Sequence, residues 1–264
     1  MKAEGPAGDY DYGEAAQTYR HMRRPDSRIA NRIWSAIGPA RTIVNVGAGT
    51  GSYGPADRYV IAVEPSAAMR AQRPPHLPPA LDAVAEDLPF DDTAFDAGMA
   101  IATVHQWRDP TQGIYELRRV CRGPVVILSF DPDHLNRFWL AEYAPGLIEI
   151  ERRRYPPIES IRAGLGESAW VEVVPIAFDC TDGFTEAFFA RPERFLDPEV
   201  RRAQSAWSFV DPHAIDAGMT RLDRDLRDGT WDGRYGQLRN QAFFEGSARL
   251  IISDPATDHK GRRR

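Results

Sequence analysis

The chain reads as an α/β protein with a mostly parallel sheet and a helical cap over one end of it. Three observations predict this class. Short β-branched runs bounded by Gly or Pro alternate with helical patterns across residues 42–130, which is the signature of a parallel sheet with crossover helices. The first of those runs ends in closely spaced glycines, Gly47, Gly49 and Gly51. The second half of the chain changes character, with several helical patterns separating two further strand-like runs.

The elements follow in chain order. Residues 1–13 are acidic and glycine-rich and predict a flexible N-terminus. Residues 14–37 place Ala15, Tyr19, Met22, Ile29, Ile33, Trp34 and Ile37 at helical spacing, with Pro25 expected in the first turn of a second helix. N-terminal cap helices are thus expected over 14–40. The first two strands are 42–46 and 59–63, apolar enough to be buried on both faces. Residues 66–73 are helical, and the Pro74-Pro75 and Pro78-Pro79 pairs mark a loop. Residues 80–85 are a third strand, 95–103 a fourth, 111–121 a helix and 124–130 a fifth strand.

Beyond the core at 41–131, residues 135–147, 158–165, 184–195, 199–209 and 212–228 read as helices. Residues 170–178 and 248–253 read as strands returning to the sheet. The segments 132–165 and 179–246 are too long to be sheet connections alone and predict the cap, inside one domain spanning 1–264. The cap is rich in aromatics, among them Trp139, Phe184, Trp207 and Trp231. They either fill its core or line a small-molecule pocket. Residues 254–264 form a basic tail ending Arg262-Arg263-Arg264, read as solvated.

Composition narrows the function. A hydrophobic fraction of 42% with 27% charged residues is ordinary for a globular protein. No apolar stretch approaches the roughly 20 residues needed to span a bilayer, and the acidic start is no secretory signal. The 2 cysteines, Cys121 and Cys180, make neither a disulfide framework nor a cysteine zinc site. The expectation is a cytoplasmic protein with no membrane partner. With 38 acids against 33 bases and a net charge of -5, the chain lacks the basic footprint of a nucleic-acid binder.

The most informative segment is Val44-Asn45-Val46-Gly47-Ala48-Gly49-Thr50-Gly51. Glycines directly after a strand let the backbone turn sharply and let a ligand lie against it, at the carboxyl edge where open α/β sheets bind ligands. Residues 49–54 even fit the GxGxxG dinucleotide fingerprint. However, only residues 52–58 precede the next strand, and a parallel crossover helix needs about a dozen residues, so a helix seat for a pyrophosphate is not expected. The second strand ends at Glu64-Pro65-Ser66. An acid there can accept both ribose hydroxyls of an adenosine, a device open to nicotinamide and S-adenosylmethionine (SAM) enzymes alike.

The stretch that separates these readings is Ala85-Glu86-Asp87-Leu88-Pro89-Phe90, then Phe95-Asp96, His105-Gln106-Trp107, Leu117-Arg118-Arg119-Val120 and Asp131 after the fifth strand. In this order and spacing the chain resembles the class I SAM-dependent methyltransferases, in particular their broad small-molecule group, well over residues 10–131 and more loosely beyond. The resemblance implies a Rossmann-like sheet whose last strand is antiparallel, with SAM as cofactor. It puts the methionine and ribose against Val46, Gly47, Gly49 and Gly51, the ribose on Glu64, and the adenine beside Pro65, Ser66, Ala85 and Glu86. Ala102 and Thr103 lie near the methionine end, and Tyr19 and Arg24 resemble the pair that closes over the cofactor and meets its carboxylate. Two departures stand out. Asn45 replaces the usual Asp and predicts weaker cofactor affinity. The short segment after Gly51 predicts a wider or looser site.

The chemistry implied is methyl transfer to O, N or C of a small, hydrophobic or aromatic metabolite. A protonated acceptor calls for a general base. His105, after the fourth strand at the cofactor edge, is the first candidate, with His134 and His213 behind it. No metal site is expected. The chain has no G-x-S-x-G elbow, no H-E-x-x-H and no phosphate-binding G-x-x-x-x-G-K-[ST] loop. The N-P-P-Y type signature of amino methyltransferases is replaced by Ala102-Thr103-Val104-His105. The alternative with the same fold is a SAM-binding protein without methyl transfer, either a cyclisation catalyst or a ligand-binding module. A nicotinamide oxidoreductase is the third reading. The acceptor and the oligomeric state are not encoded in any motif.

Overall fold

The computed structural model describes residues 22–255. Its first helix, Ser27–Ile37 (α1), begins at Asp26, whose side chain accepts from Arg28 N at 3.0 Å and caps the first turn. Pro25 therefore sits ahead of the cap, not in the first turn as its position suggested. Burial alone would raise the Asp26 pKa. Hydrogen bonds from the Arg28 side chain and backbone and from Thr181 N override that and bring it down to about 2. A folded-state pKa below the unfolded value gives stability that is present above about pH 4 and lost as pH falls toward 2. Asp26→Asn is expected to flatten that part of the acid-unfolding profile. A variant profile parallel to the wild type contradicts this.

The sheet follows. Strands Thr42–Val46 (β1), Tyr59–Val63 (β2), Ala97–Ile101 (β3) and Val125–Phe130 (β4) run parallel, in the order β2-β1-β3-β4. Two helices alternate with them, Ala67–Ala71 (α2) and Pro110–Arg119 (α3), the second with Pro110 in its first turn behind the cap Asp109. The centre of the sheet is β1, β3 and β4, where Ile43, Val44, Met99 and Ile127 are wholly buried.

Beyond β4 the chain builds Leu140–Tyr143 (α4), Pro145–Arg154 (α5) and Ile158–Leu165 (α6) before Ala169–Val173 (β5) and Ile176–Ala177 (β6). Helices Pro198–Arg202 (α7), Pro212–Arg227 (α8) and Thr230–Tyr235 (α9) then lead to Phe243–Phe244 (β7) and Ala248–Ser253 (β8). The last strand, β8, inserts antiparallel between β4 and β5 and completes a six-stranded sheet, while β6 and β7 pair apart from it. The mostly parallel sheet with an antiparallel last strand is thus as expected.

Further expectations need correction. Of residues 170–178, expected as one strand returning to the sheet, only the first half does so, within Ala169–Val173, while Ile176–Ala177 pairs with Phe243–Phe244 apart from it. Residues 80–85 do not form a strand. Only Leu81 pairs with β2, donating to Ala62 O at 2.8 Å and accepting from Glu64 N at 3.0 Å. Leu81 and Val84 are exposed on this outer edge, so no apolar burial extends the pairing. The long helices expected over 135–147, 184–195 and 199–209 are broken into short α and 3-10 pieces. Pro145 and Pro192 begin new pieces because they lack the N–H that would continue the old ones. Finally, α6 is not part of the cap. Its Ile161 and Leu165 join Ile114, Leu117, Val125 and Ile127 in the core that backs the sheet on the α3 side.

The opposite face carries α1 and the cap, joined in one large apolar core. Phe195 is wholly buried there, its ring 5.4 Å from Phe188, 5.8 Å from Trp139 and 6.0 Å from Trp207. The cap aromatics therefore mostly fill their own core. Phe195→Ala is expected to cost about 3–5 kcal/mol, read as a lower urea midpoint, and an unchanged midpoint contradicts that packing. Among the described residues no helix is long and apolar enough to cross a membrane.

Candidate active site

Two cavities lie side by side at the carboxyl edge of the sheet. The first, of about 610 Å3 with its mouth included, lies over the ends of β1, β2 and β3. The second, of about 570 Å3 on the same measure, lies between the end of β4 and the cap. Arg23, Ala102 and Gln106 line both.

The first cavity is shaped by the glycine turn. Gly47, Gly49 and Gly51 all have positive φ, at 71°, 51° and 103°, which glycine adopts at little cost. A Cβ on Gly47 would fall 2.1 Å from Thr103 Oγ1, so β1 and β3 approach this closely only because the position is glycine. Gly47, Gly49 and Thr103 line the cavity together with Glu64. The Glu64 carboxylate is buried and accepts from Gly49 N at 2.8 Å and Ser66 N at 2.9 Å. Burial raises its pKa, while the two backbone donors and the charges of Arg70 and Arg73 pull the other way. Asn45 is also buried in this wall, and its Oδ1 has no hydrogen-bond partner among the described residues. A buried acceptor without a donor costs roughly 1–3 kcal/mol, so this atom suits a ligand that brings an N–H or O–H.

The short segment after Gly51 is pinned. Tyr53 is buried at φ 63°, its carbonyl accepts from Trp34 Nε1 at 2.9 Å, and its hydroxyl donates to Asp182 Oδ2 at 2.8 Å. Asp182 in turn accepts from Arg23 Nε at 2.5 Å.

The sequence candidates divide. Gly47, Gly49, Glu64, Ala102 and Thr103 come together around the first cavity, and His105 lines the second. Val46 and Ala85 turn into the core. Gly51 faces Leu77 and Arg73, Pro65 is exposed, and Glu86 accepts from Asp109 N at 2.9 Å. None of these five is among the lining residues of either cavity. Tyr19 lies outside the described residues. Arg24 is exposed, while its neighbour Arg23 faces the cavities. The single antiparallel bridge between Arg23 and Asp182 explains this, because successive residues of an extended segment point to opposite sides. Of the weaker histidines, His134 is 2.8 Å from Asp131 and His213 lies in the first turn of α8. Neither is among the lining residues.

The second cavity combines aromatic rings with buried charge. Phe130 packs against Tyr155 and Phe184 with centroids 5.3 and 5.2 Å apart. His105 lies 4.6 Å from Tyr155. Burial drives the His105 pKa well below the ordinary histidine value, and the Arg154 and Arg23 charges add to this. Glu151 and Glu186 are both buried in the same lining. No sequence motif announced Arg23, Asp182, Glu151 or Glu186, since each comes from a segment outside the glycine-turn core.

A methyltransferase domain model matches residues 44–127, the sheet core that carries these cavities. The fold is shared across nearly the whole chain with a protein of Anabaena variabilis described as a methyltransferase from an antibiotic biosynthesis pathway. The two are 30% identical with a TM-score of 0.82, and the likeness covers 88% of this chain and 99% of that one. The chain belongs to the class I SAM-dependent methyltransferases. A SAM-dependent methyltransferase of Thermotoga maritima shares the fold at 16% identity and TM-score 0.50, covering 92% of this methyltransferase and 93% of that chain. The rice chloroplast enzyme 2-methyl-6-phytyl-1,4-hydroquinone methyltransferase 2 is 39% identical over 59 residues, which span 22% of this chain and 17% of that enzyme. The cofactor of the family is SAM, and the first cavity suits it: glycines leave room for a closely held ligand, and Glu64 and Asn45 present acceptors to one rich in donors.

Proposed function

We propose that the protein transfers a methyl group from SAM held in the first cavity to a small molecule held in the second. The observation that carries this reading is that the two cavities are neighbours that share Arg23, Ala102 and Gln106 in their walls. Ala102 is the strained point of that junction, with φ 52° at the end of β3. Non-glycine residues in this region cost about 1–3 kcal/mol and cluster at functional sites.

Each residue has a part in this reading. Glu64 accepts the ribose hydroxyls, its orientation fixed by Gly49 N and Ser66 N. Asn45 Oδ1 accepts from the amino-acid end of the cofactor. Arg23, held by Asp182, offers its guanidinium to the carboxylate there, a geometry that suits carboxylates. SAM supplies an electrophilic methyl whose leaving group is a neutral thioether. The protein's work is then mainly to hold an acceptor atom in line with that methyl and to keep water out. Phe130, Tyr155 and Phe184 give the second cavity a face for an apolar or aromatic acceptor, and its buried charges orient the polar end.

The test is incubation of the protein with methyl-labelled SAM and a metabolite extract. Sustained transfer of label into small molecules is expected. Stoichiometric SAM binding without turnover contradicts transfer and leaves a SAM-binding protein. Binding of NADH but not SAM contradicts the whole reading.

A further inference from the structure

The second cavity holds more charge than the binding of an apolar molecule needs. Two carboxyls, Glu151 and Glu186, are buried in its wall, and Arg23, Arg154, His105 and Tyr155 face the same space. Glu151 projects from the last turns of α5, one helical turn before Arg154. It meets Thr185 and Gln204 in a row of three oxygens. Thr185 Oγ1 is 2.8 Å from Glu151 Oε1 and 2.8 Å from Gln204 Oε1.

The Gln204 amide has a fixed orientation. Its Oε1 accepts from Trp207 Nε1 at 3.3 Å and its Nε2 donates to Val200 O at 3.3 Å. Its oxygen therefore faces Thr185. The threonine hydroxyl owns a single proton, and two acceptors compete for it while Glu151 is ionised. One more proton, on Glu151, completes the row. Glu151 then donates to Thr185 Oγ1, and the Thr185 hydroxyl donates to Gln204.

We propose that Glu151 is the proton acceptor of this methyltransferase, and that the molecule methylated is accordingly an O–H or N–H nucleophile that loses a proton as it gains carbon. The inference rests on the methyl-transfer reading above. In the step, the acceptor's heteroatom bonds to the methyl carbon while the carbon–sulfur bond breaks. The electron pair of the broken bond stays on sulfur, the proton goes to the Glu151 carboxylate, and it is later released to water. Charge balances, because a sulfonium and a carboxylate become a thioether and a carboxylic acid.

The electrostatics agree with the geometry. Burial is the largest influence on Glu151 and the Glu186 charge adds to it; Thr185, Arg154 and Arg23 oppose the rise, and together they leave it at about 7. A carboxylate near neutrality is well matched to taking a proton. His105, whose protonated form is disfavoured by burial and by the two arginines, is the weaker base and serves to pack Tyr155.

The test measures label transfer from SAM to a metabolite extract against pH, with SAM affinity measured in parallel for every variant. Wild-type transfer is expected to rise through about pH 7 to a plateau. Glu151→Gln is expected to lose about 100-fold or more and the pH dependence with it, with SAM affinity intact, and Glu151→Asp to keep a part of the rate. Glu186 is itself pushed up to about 7 by burial, so Glu186→Gln is expected to move the rise to lower pH by removing a neighbour that charges in the same range. His105→Asn is expected to keep the rise. Infrared spectra without any acceptor are expected to show protonated carboxyl absorption titrating near the same pH, one part of it lost in Glu151→Gln and the other in Glu186→Gln, because burial pushes Glu186 up to about 7 as well. A Glu151→Gln protein with the wild-type profile, or a rise that disappears in His105→Asn instead, or no band assignable to Glu151, overturns the proposal while methyl transfer stands. No transfer by wild type under any condition overturns the methyl-transfer reading and this inference with it.

Discussion

Gly47→Ala is expected to abolish measurable SAM binding and to lower the stability of the fold. Two independent effects act at this position. The residue sits at φ 71°, where any side chain costs about 1–3 kcal/mol. Its added Cβ would also lie 2.1 Å from Thr103 Oγ1, 2.7 Å from its Cγ2 and 2.8 Å from its Cβ. The end of β1 must then withdraw from β3, and Gly47 and Thr103 both line the first cavity. Adding Thr103→Ala is expected to restore binding only in part, because the Cβ at 2.8 Å and the positive φ both remain. Calorimetry with SAM and urea denaturation together read this out. A Gly47→Ala protein that binds SAM like the wild type contradicts the cavity assignment.

Glu64→Gln is the second large effect. The carboxylate offers two oxygens to two backbone donors, Gly49 N and Ser66 N. An amide replaces one oxygen by a donor, so one N–H of the turn faces another N–H, and the group loses its charge toward the ribose. Removing one partner of a charged hydrogen bond costs about 1–3 kcal/mol, which is a factor of roughly 5–150 in SAM affinity. Unchanged affinity places the ribose elsewhere.

The sheet core was legible because its signals are local. β1 and β2 have the residue limits read from their β-branched runs, and the glycine turn falls between them. β8 matches its run as well. The misreadings have physical causes. Residues 80–85 have strand-like composition, but Leu81 and Val84 stay exposed. The cap's helical periodicity persists across Pro145 and Pro192, and the missing N–H of proline outweighs it. In the site, Glu64 was identifiable as a strand-end acid. The choice of Arg23 over Arg24 depends on a bridge to Asp182, 159 residues away, and local pattern carries no information about it. In sequence Glu151 falls between two expected helices and Glu186 inside a third, neither in any motif. Only the packing of the cap against β4 buries them.

The most direct test of the account is a crystal structure of the protein with S-adenosylhomocysteine. The account predicts the ligand in the cavity over β1, β2 and β3, its ribose hydroxyls on Glu64 and its sulfur toward Ala102 and the mouth of the second cavity. Ligand bound at any other place, or a Glu64 carboxylate that makes no contact with the sugar, contradicts it.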